Sequence, residues 1–144
     1  MALQVELKPG ERIVIGTAVL RNGESRTRFF IDGHAPILRE KDILTANTAD
    51  TPARRVYLAV QLMYLASDVT PHSEIYFELV DEFLAAAPSA IPYVADINNR
   101  ISSGELYKAL RSARQLIAYE QELMDHASGG GRLRQNSPDD AIAS

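Results

Sequence analysis

The chain has 144 residues, of which 46% are hydrophobic, a formal net charge of −4 and no cysteine. That length suits one domain with a real core. The missing cysteine excludes disulfides, thiolate metal sites and Cys nucleophiles, and the mildly acidic balance gives no general bias toward nucleic acid.

Met1–Glu6 lacks the basic segment and long apolar run of a signal peptide, and no apolar run approaches a membrane span. A soluble, cytoplasmic protein is expected. Leu3–Leu7 alternates apolar and polar residues, as a half-buried strand does. Lys8-Pro9-Gly10-Glu11 reads as a turn. Arg12–Leu20 is β-branched and almost continuously apolar, which predicts one strand covered on both faces. Asn22-Gly23 is a strong hairpin signal. Ser25–Ile31 follows as a strand with Arg26 and Arg28 on one face and Thr27, Phe29 and Ile31 on the other. Ala35–Arg39 returns, with Pro36 marking an edge or a strand start.

Thr45–Thr51 is a polar linker. The Thr51-Pro52 pair starts a very apolar helix, Pro52–Ala66, and Thr70-Pro71 starts the next by the same device. Glu74, Glu78, Asp81 and Glu82 line the wet side of that second helix. Ile75, Phe77, Leu79, Val80, Phe83 and Leu84 supply its dry side, and Pro88 ends it. A shorter helical stretch covers Ser89–Ile101, and Glu105–His126 is the longest helix. From Ser128 the periodicity stops, which predicts a disordered tail. The expected fold is α+β. An antiparallel sheet or partial barrel of about four strands fills residues 1–44, three to four helices fill 45–127, and the tail takes 128–144.

No pattern for catalysis or metal binding emerges. His34, His72 and His126 have no convincing second ligand, and Gly129-Gly130-Gly131 has neither the strand nor the Lys-Ser/Thr of a phosphate loop. Arg54 and Arg55 in a first helical turn read as solvated or carboxylate-paired, with an anion patch as the sharper alternative. The basic residues of the first part, Lys8, Arg21, Arg26, Arg28, Arg39 and Lys41, are the candidates for gripping a polyanion. Cross-strand pairing with Glu24, Glu40 or Asp42 is the alternative. Phe29 and Phe30 could stack on bases or enter the core. Arg100, Lys108, Arg111 and Arg114 read as a salt-bridged or solvated helix face. Tyr107, Leu116, Tyr119 and Leu123 exceed what one apolar stripe needs, which hints at a partner or self-association surface.

Several stretches together resemble the flagellin-synthesis repressor family FlbT: Leu7-Lys8-Pro9-Gly10-Glu11-Arg12-Ile13, Ala18-Val19-Leu20-Arg21-Asn22-Gly23, Leu38-Arg39-Glu40-Lys41-Asp42-Ile43-Leu44, Thr51-Pro52-Ala53-Arg54-Arg55 and Gln61-Leu62-Met63-Tyr64-Leu65. Tyr107-Lys108-Ala109-Leu110 and Leu116-Ile117-Ala118-Tyr119-Glu120 extend the likeness over residues 3–125. The resemblance implies a non-enzymatic, cytoplasmic regulator of flagellum biogenesis. Such a regulator associates with the 5′ untranslated region of flagellin mRNA, promotes its degradation and works with a small partner, FlaF. A weaker likeness joins Gly10–Gly16 and Ile37–Ile43 to translational regulators of the CsrA type, which are β dimers that bind mRNA leaders. It would make Arg39, just before Glu40, an RNA contact. The place of that family's second arginine holds Leu7, with Lys8 beside it.

The expected function is an RNA-binding post-transcriptional repressor that needs no cofactor. The alternative is a protein-interaction module acting on flagellin expression indirectly through FlaF, flagellin or a secretion component. An exposed sheet edge also allows a homodimer.

Overall fold

A computed structural model describes residues 2–136, with side chains through Ser128. The strands are β1 (Ala2–Leu7), β2 (Arg12–Ile15), β3 (Ala18–Arg21), β4 (Thr27–Asp32) and β5 (Ile37–Arg39). The helices are α1 (Pro52–Ala66), α2 (Thr70–Ala86), α3 (Ile91–Ser102) and α4 (Leu106–Asn136). The fold is α+β as expected, with five short strands in two sheets rather than about four in one. β1 pairs antiparallel with β4, and β2 lies between β3 and β5. The disordered tail expected over 128–144 does not begin at Ser128, because α4 continues to Asn136, and residues 137–144 lie outside the described residues.

The apolar run Arg12–Leu20 is not one buried strand. It folds back on itself at Gly16-Thr17, so that Ile15 pairs with Ala18. A two-residue hairpin turn of this kind needs positive φ, and Gly16 sits at φ 62°. β3 is exposed along its whole length, contrary to the expectation of cover on both faces. Asn22-Gly23 therefore does not make the hairpin. Asn22 instead staples the loops, its amide donating to the carbonyls of Leu7 (3.1 Å), Lys8 (2.8 Å) and Ser25 (3.0 Å).

α1 begins where its sequence signals place it. The Thr51 hydroxyl accepts from the Arg54 N–H, and Pro52 occupies the first turn. A further cap was not legible in the sequence: Glu120 of α4, 6% exposed, accepts from the Ala53 N–H at 2.9 Å. A carboxylate at this end also suits the helix dipole. Arg54 pairs with Asp50 at 2.7 Å, which is the carboxylate pairing expected for it. α2 starts differently from expectation. Thr70 makes no cap, and its own N–H donates to the Asp68 carboxylate at 3.1 Å. On α2, Tyr76, Val80 and Phe83 are buried, whereas Ile75 and Phe77 are more than half exposed. The inward face is thus rotated from the expected one, while Glu74, Glu78, Asp81 and Glu82 are exposed as expected.

Two apolar clusters hold the chain together. The larger runs through all four helices and includes Val14 and Leu38 from the sheet. The smaller comprises Val5, Leu7 and Ile13, with Phe29, Ile31 and Ile37 packed at its side. Polar side chains of α1 fasten the strand side to the helices. The Tyr64 hydroxyl accepts from the Ile37 N–H (3.0 Å) and donates to the Ile37 carbonyl (3.1 Å). The Tyr57 hydroxyl donates to the Asp42 carbonyl at 2.6 Å.

Candidate nucleic-acid interface

β1 and β5 belong to different sheets but meet at one side chain. Arg39 reaches across and donates from Nη2 to the Glu6 carbonyl at 2.9 Å. The seam opens into a hollow of about 580 Å³ lined by Gln4, Glu6, Lys8, Glu11, Arg26, Arg39 and Lys41. Four of the six sequence-predicted cations, Lys8, Arg26, Arg39 and Lys41, thus converge on one site. Strand alternation puts Gln4 and Glu6 on the solvent face of β1, and Arg39 closes the sheet just before the 3-10 turn Glu40–Asp42 that presents Lys41.

A second hollow, of about 540 Å³, shares Gln4, Arg39 and Lys41 with the first. It runs on between the sheets and α4, past Tyr64, Tyr107, Arg111 and Arg114. The combined groove holds six cations: Lys8, Arg26, Arg39, Lys41, Arg111 and Arg114. Its carboxylates are Glu6, Glu11 and Asp42. Glu6 meets Arg26 at 3.5 Å, and Asp42 meets Arg114 at 2.6 Å. Glu11 is turned to the Lys8 backbone N–H, at 2.8 Å. Among the described residues no carboxylate lies within ion-pair distance of the Lys8, Arg39, Lys41 or Arg111 side chains. These four leave uncompensated positive charge along the groove. The Arg26–Glu6 contact is exposed and solvent-screened, so it holds Arg26 weakly. Arg114 keeps its proton more firmly than usual, chiefly through the Tyr57 hydroxyl.

Arg111 and Arg114 are the residues missed by sequence reasoning as members of this site. Their i, i+3 spacing shows a basic helix face but not what that face looks toward. The rest of that face is salt-bridged as expected: Lys108 meets Glu105 at 3.1 Å, and Arg100 meets Glu105 at 3.2 Å.

Arg21 and Arg28 stand outside the groove. Arg21 lies beside Arg12, its cross-strand neighbour. There Arg12 holds Glu40, its backbone N–H donating to Oε1 at 2.7 Å. That hydrogen bond lowers the Glu40 pKa, and the Arg12 and Arg21 charges add to the effect. Arg28 lies opposite Glu6 on β4 but makes no ion pair among the described residues. Phe29 enters the smaller core cluster, whereas Phe30 is 63% exposed.

The four expected partner-surface residues do not share one surface. Leu116 is fully buried in the larger core, because α4 packs on both α1 and α3, and so it cannot meet a partner on this fold. Tyr119 stacks on Tyr93 with ring centroids 4.5 Å apart, and its hydroxyl donates to Ser89. Tyr107 is exposed beside the basic groove. Leu123 lines a separate apolar hollow of about 360 Å³ with Pro52, Leu79, Phe83, Ala87 and Met124. Among the described residues no group of His, Asp and Glu has the arrangement of a metal site, and no helix is long and apolar enough to cross a membrane.

Residues 3–124 match the family model described as Flagellar protein FlbT. The chain belongs to the FlbT family. A relative from Rhodopseudomonas palustris (strain TIE-1), called a probable flagellum biosynthesis repressor protein FlbT, is 54% identical, covering 86% of this chain and 98% of its own length. One from Bradyrhizobium diazoefficiens is 55% identical over 85% of each chain. The Caulobacter vibrioides flagellum biosynthesis repressor protein FlbT is 37% identical over 90% of this chain and 94% of its own. The names of these relatives describe repressors of flagellum biosynthesis. No solved structure matches the chain, and the expected likeness to CsrA-type regulators finds no support in these comparisons.

Proposed function

We propose that this FlbT-family chain represses flagellin synthesis after transcription, by binding the 5′ untranslated region of flagellin mRNA through the groove between β1, β5 and α4. The observation that carries this reading is the convergence of Lys8, Arg26, Arg39 and Lys41 on one hollow, continued by Arg111 and Arg114. Arginine forks suit phosphate oxygens, and a groove with uncompensated cations tracks a single strand. Tyr107 at its edge offers a ring on which a base can stack. Binding there would occlude the ribosome or expose the leader to nucleases, and neither route needs a catalytic residue.

The test is fluorescence anisotropy of the purified protein with a labelled flagellin leader, against a scrambled leader, across a salt series. Leader-preferring binding that weakens with salt supports the reading. Absence of binding at low salt removes it. It would then favour the second reading, a protein-interaction module acting through a FlaF-type partner. The support for that reading is the apolar hollow beside Leu123 and Met124.

A further inference from the structure

We propose that β4 is a self-pairing edge through which two copies of this chain join their β1–β4 sheets into one four-stranded sheet. A two-stranded sheet is marginal by itself, and an open strand edge is a template for another strand. The other edges are occupied or lack a complement. The outer edge of β5 is met by the Tyr64 hydroxyl, which binds both the N–H and the carbonyl of Ile37. On β1, Arg39 bonds the Glu6 carbonyl. β3 is only four residues long and ends in Arg21 beside Arg12, with no carboxylate of its own to answer them. β4 is six residues long, contains no proline, and has β1 as its one strand partner among the described residues.

The sequence of β4 is complementary to itself. Arg28, Phe30 and Asp32 alternate on its solvent face, and Phe30 ties with Val19 as the most exposed large apolar side chain described. Neither Arg28 nor Asp32 has an ion-pair partner among the described residues. Antiparallel pairing of two β4 strands about Phe30 sets Phe30 against Phe30. The same register sets Arg28 of each copy opposite Asp32 of the other, so two ion pairs form by symmetry. On the inner face it sets Phe29 opposite Ile31. Both are half-buried at the side of the small Val5–Leu7–Ile13 cluster, and pairing extends that cluster across the two-fold axis. The occupant is therefore a second copy of the chain. This inference does not depend on RNA binding.

Sedimentation velocity of the full chain over a concentration series tests it. The wild-type chain is expected to pass from monomer to dimer as concentration rises. Arg28→Glu places acid opposite acid, and Asp32→Arg places base opposite base. Each is expected to weaken the dimer by about tenfold, from like charges set opposite at two symmetric positions. A mixture of the two single variants is expected to recover dimer, because Arg28→Glu in one chain then faces Asp32→Arg in the other. Recovery in the mixture also shows that each variant is folded. The double variant, with both charges exchanged, is expected to dimerise alone. A wild-type chain that stays monomeric, single variants that dimerise as wild type does, or a mixture without recovery overturns the proposal.

Discussion

The side-chain amide of Gln61 pairs with both backbone groups of Leu44: Nε2 donates to the carbonyl and Oε1 accepts from the N–H, each at 2.9 Å. Gln61 is 4% exposed, in the middle of α1. It acts as a strand neighbour would, satisfying a backbone segment that has left the sheet and has no ladder of its own. With Tyr57 and Tyr64 it makes α1 the element that fixes the strand side against the helices. Replacing Gln61 by Leu strands a donor and an acceptor, and is expected to cost about 2–4 kcal/mol. Urea denaturation checks this, and a loss below half a kcal/mol would show that water replaces the amide.

Lys41 is exposed and without an ion pair among the described residues, so its charge is available to the groove rather than to the fold. Lys41→Ala is expected to leave the melting temperature unchanged and to lower the salt dependence of leader binding by about one counterion. Arg21→Ala, outside the groove, is the control and should leave that slope as it is. Equal slopes for both variants would take Lys41 out of the interface.

Arg114 and Asp42 meet at 2.6 Å, and the Asp42 side chain is only 12% exposed. Removing the arginine leaves a poorly solvated carboxylate behind. Arg114→Leu is expected to destabilise the fold by about 2 kcal/mol, and changing Asp42 to Asn as well should return part of that loss. Thermal denaturation of the single and double variants measures the coupling. Strict additivity would mean that the pair contributes nothing.

Glu40 has a pKa below its ordinary value of 4.5, chiefly because the Arg12 N–H donates to its carboxylate. A carboxylate with a depressed folded-state pKa stabilises the fold above the unfolded value, and that stabilisation is lost as pH falls through the folded one. The wild-type chain should therefore exceed Glu40→Gln in melting temperature at neutral pH, with the gap closing below about pH 4.5. A gap that is constant with pH would mean that the charge on Glu40 is irrelevant.

Gly16 turns the β2–β3 hairpin at φ 62°, with space around it, since a Cβ there meets nothing closer than the Ala35 Cβ at 4.0 Å. The cost of a side chain is therefore conformational rather than steric. Gly16→Ala is expected to lose about 1 kcal/mol and Gly16→Asn less, because Asn tolerates the left-handed region. A larger loss with Asn than with Ala, read from urea midpoints, would contradict this.

Sequence by itself determined the α+β order, the start of α1, the exposed acidic side of α2 and the identity of four groove cations. Each rests on local chemistry: hydroxyl and proline at a helix start, strand alternation, and charged residues that resist burial. Tertiary structure alone decided the rest. An apolar run cannot say whether it is one buried strand or a hairpin, and Gly16 resolved it by admitting positive φ. Periodicity could not set which side of α2 faces inward, because Ile75, Phe77 and Tyr76 compete for the same core and packing chose Tyr76. Leu116 looked like surplus apolar surface until α1 and α3 closed over it. The basic groove exists because Arg39, Arg111 and Lys8 come from distant parts of the chain, and only the seam between two sheets and a helix puts them side by side.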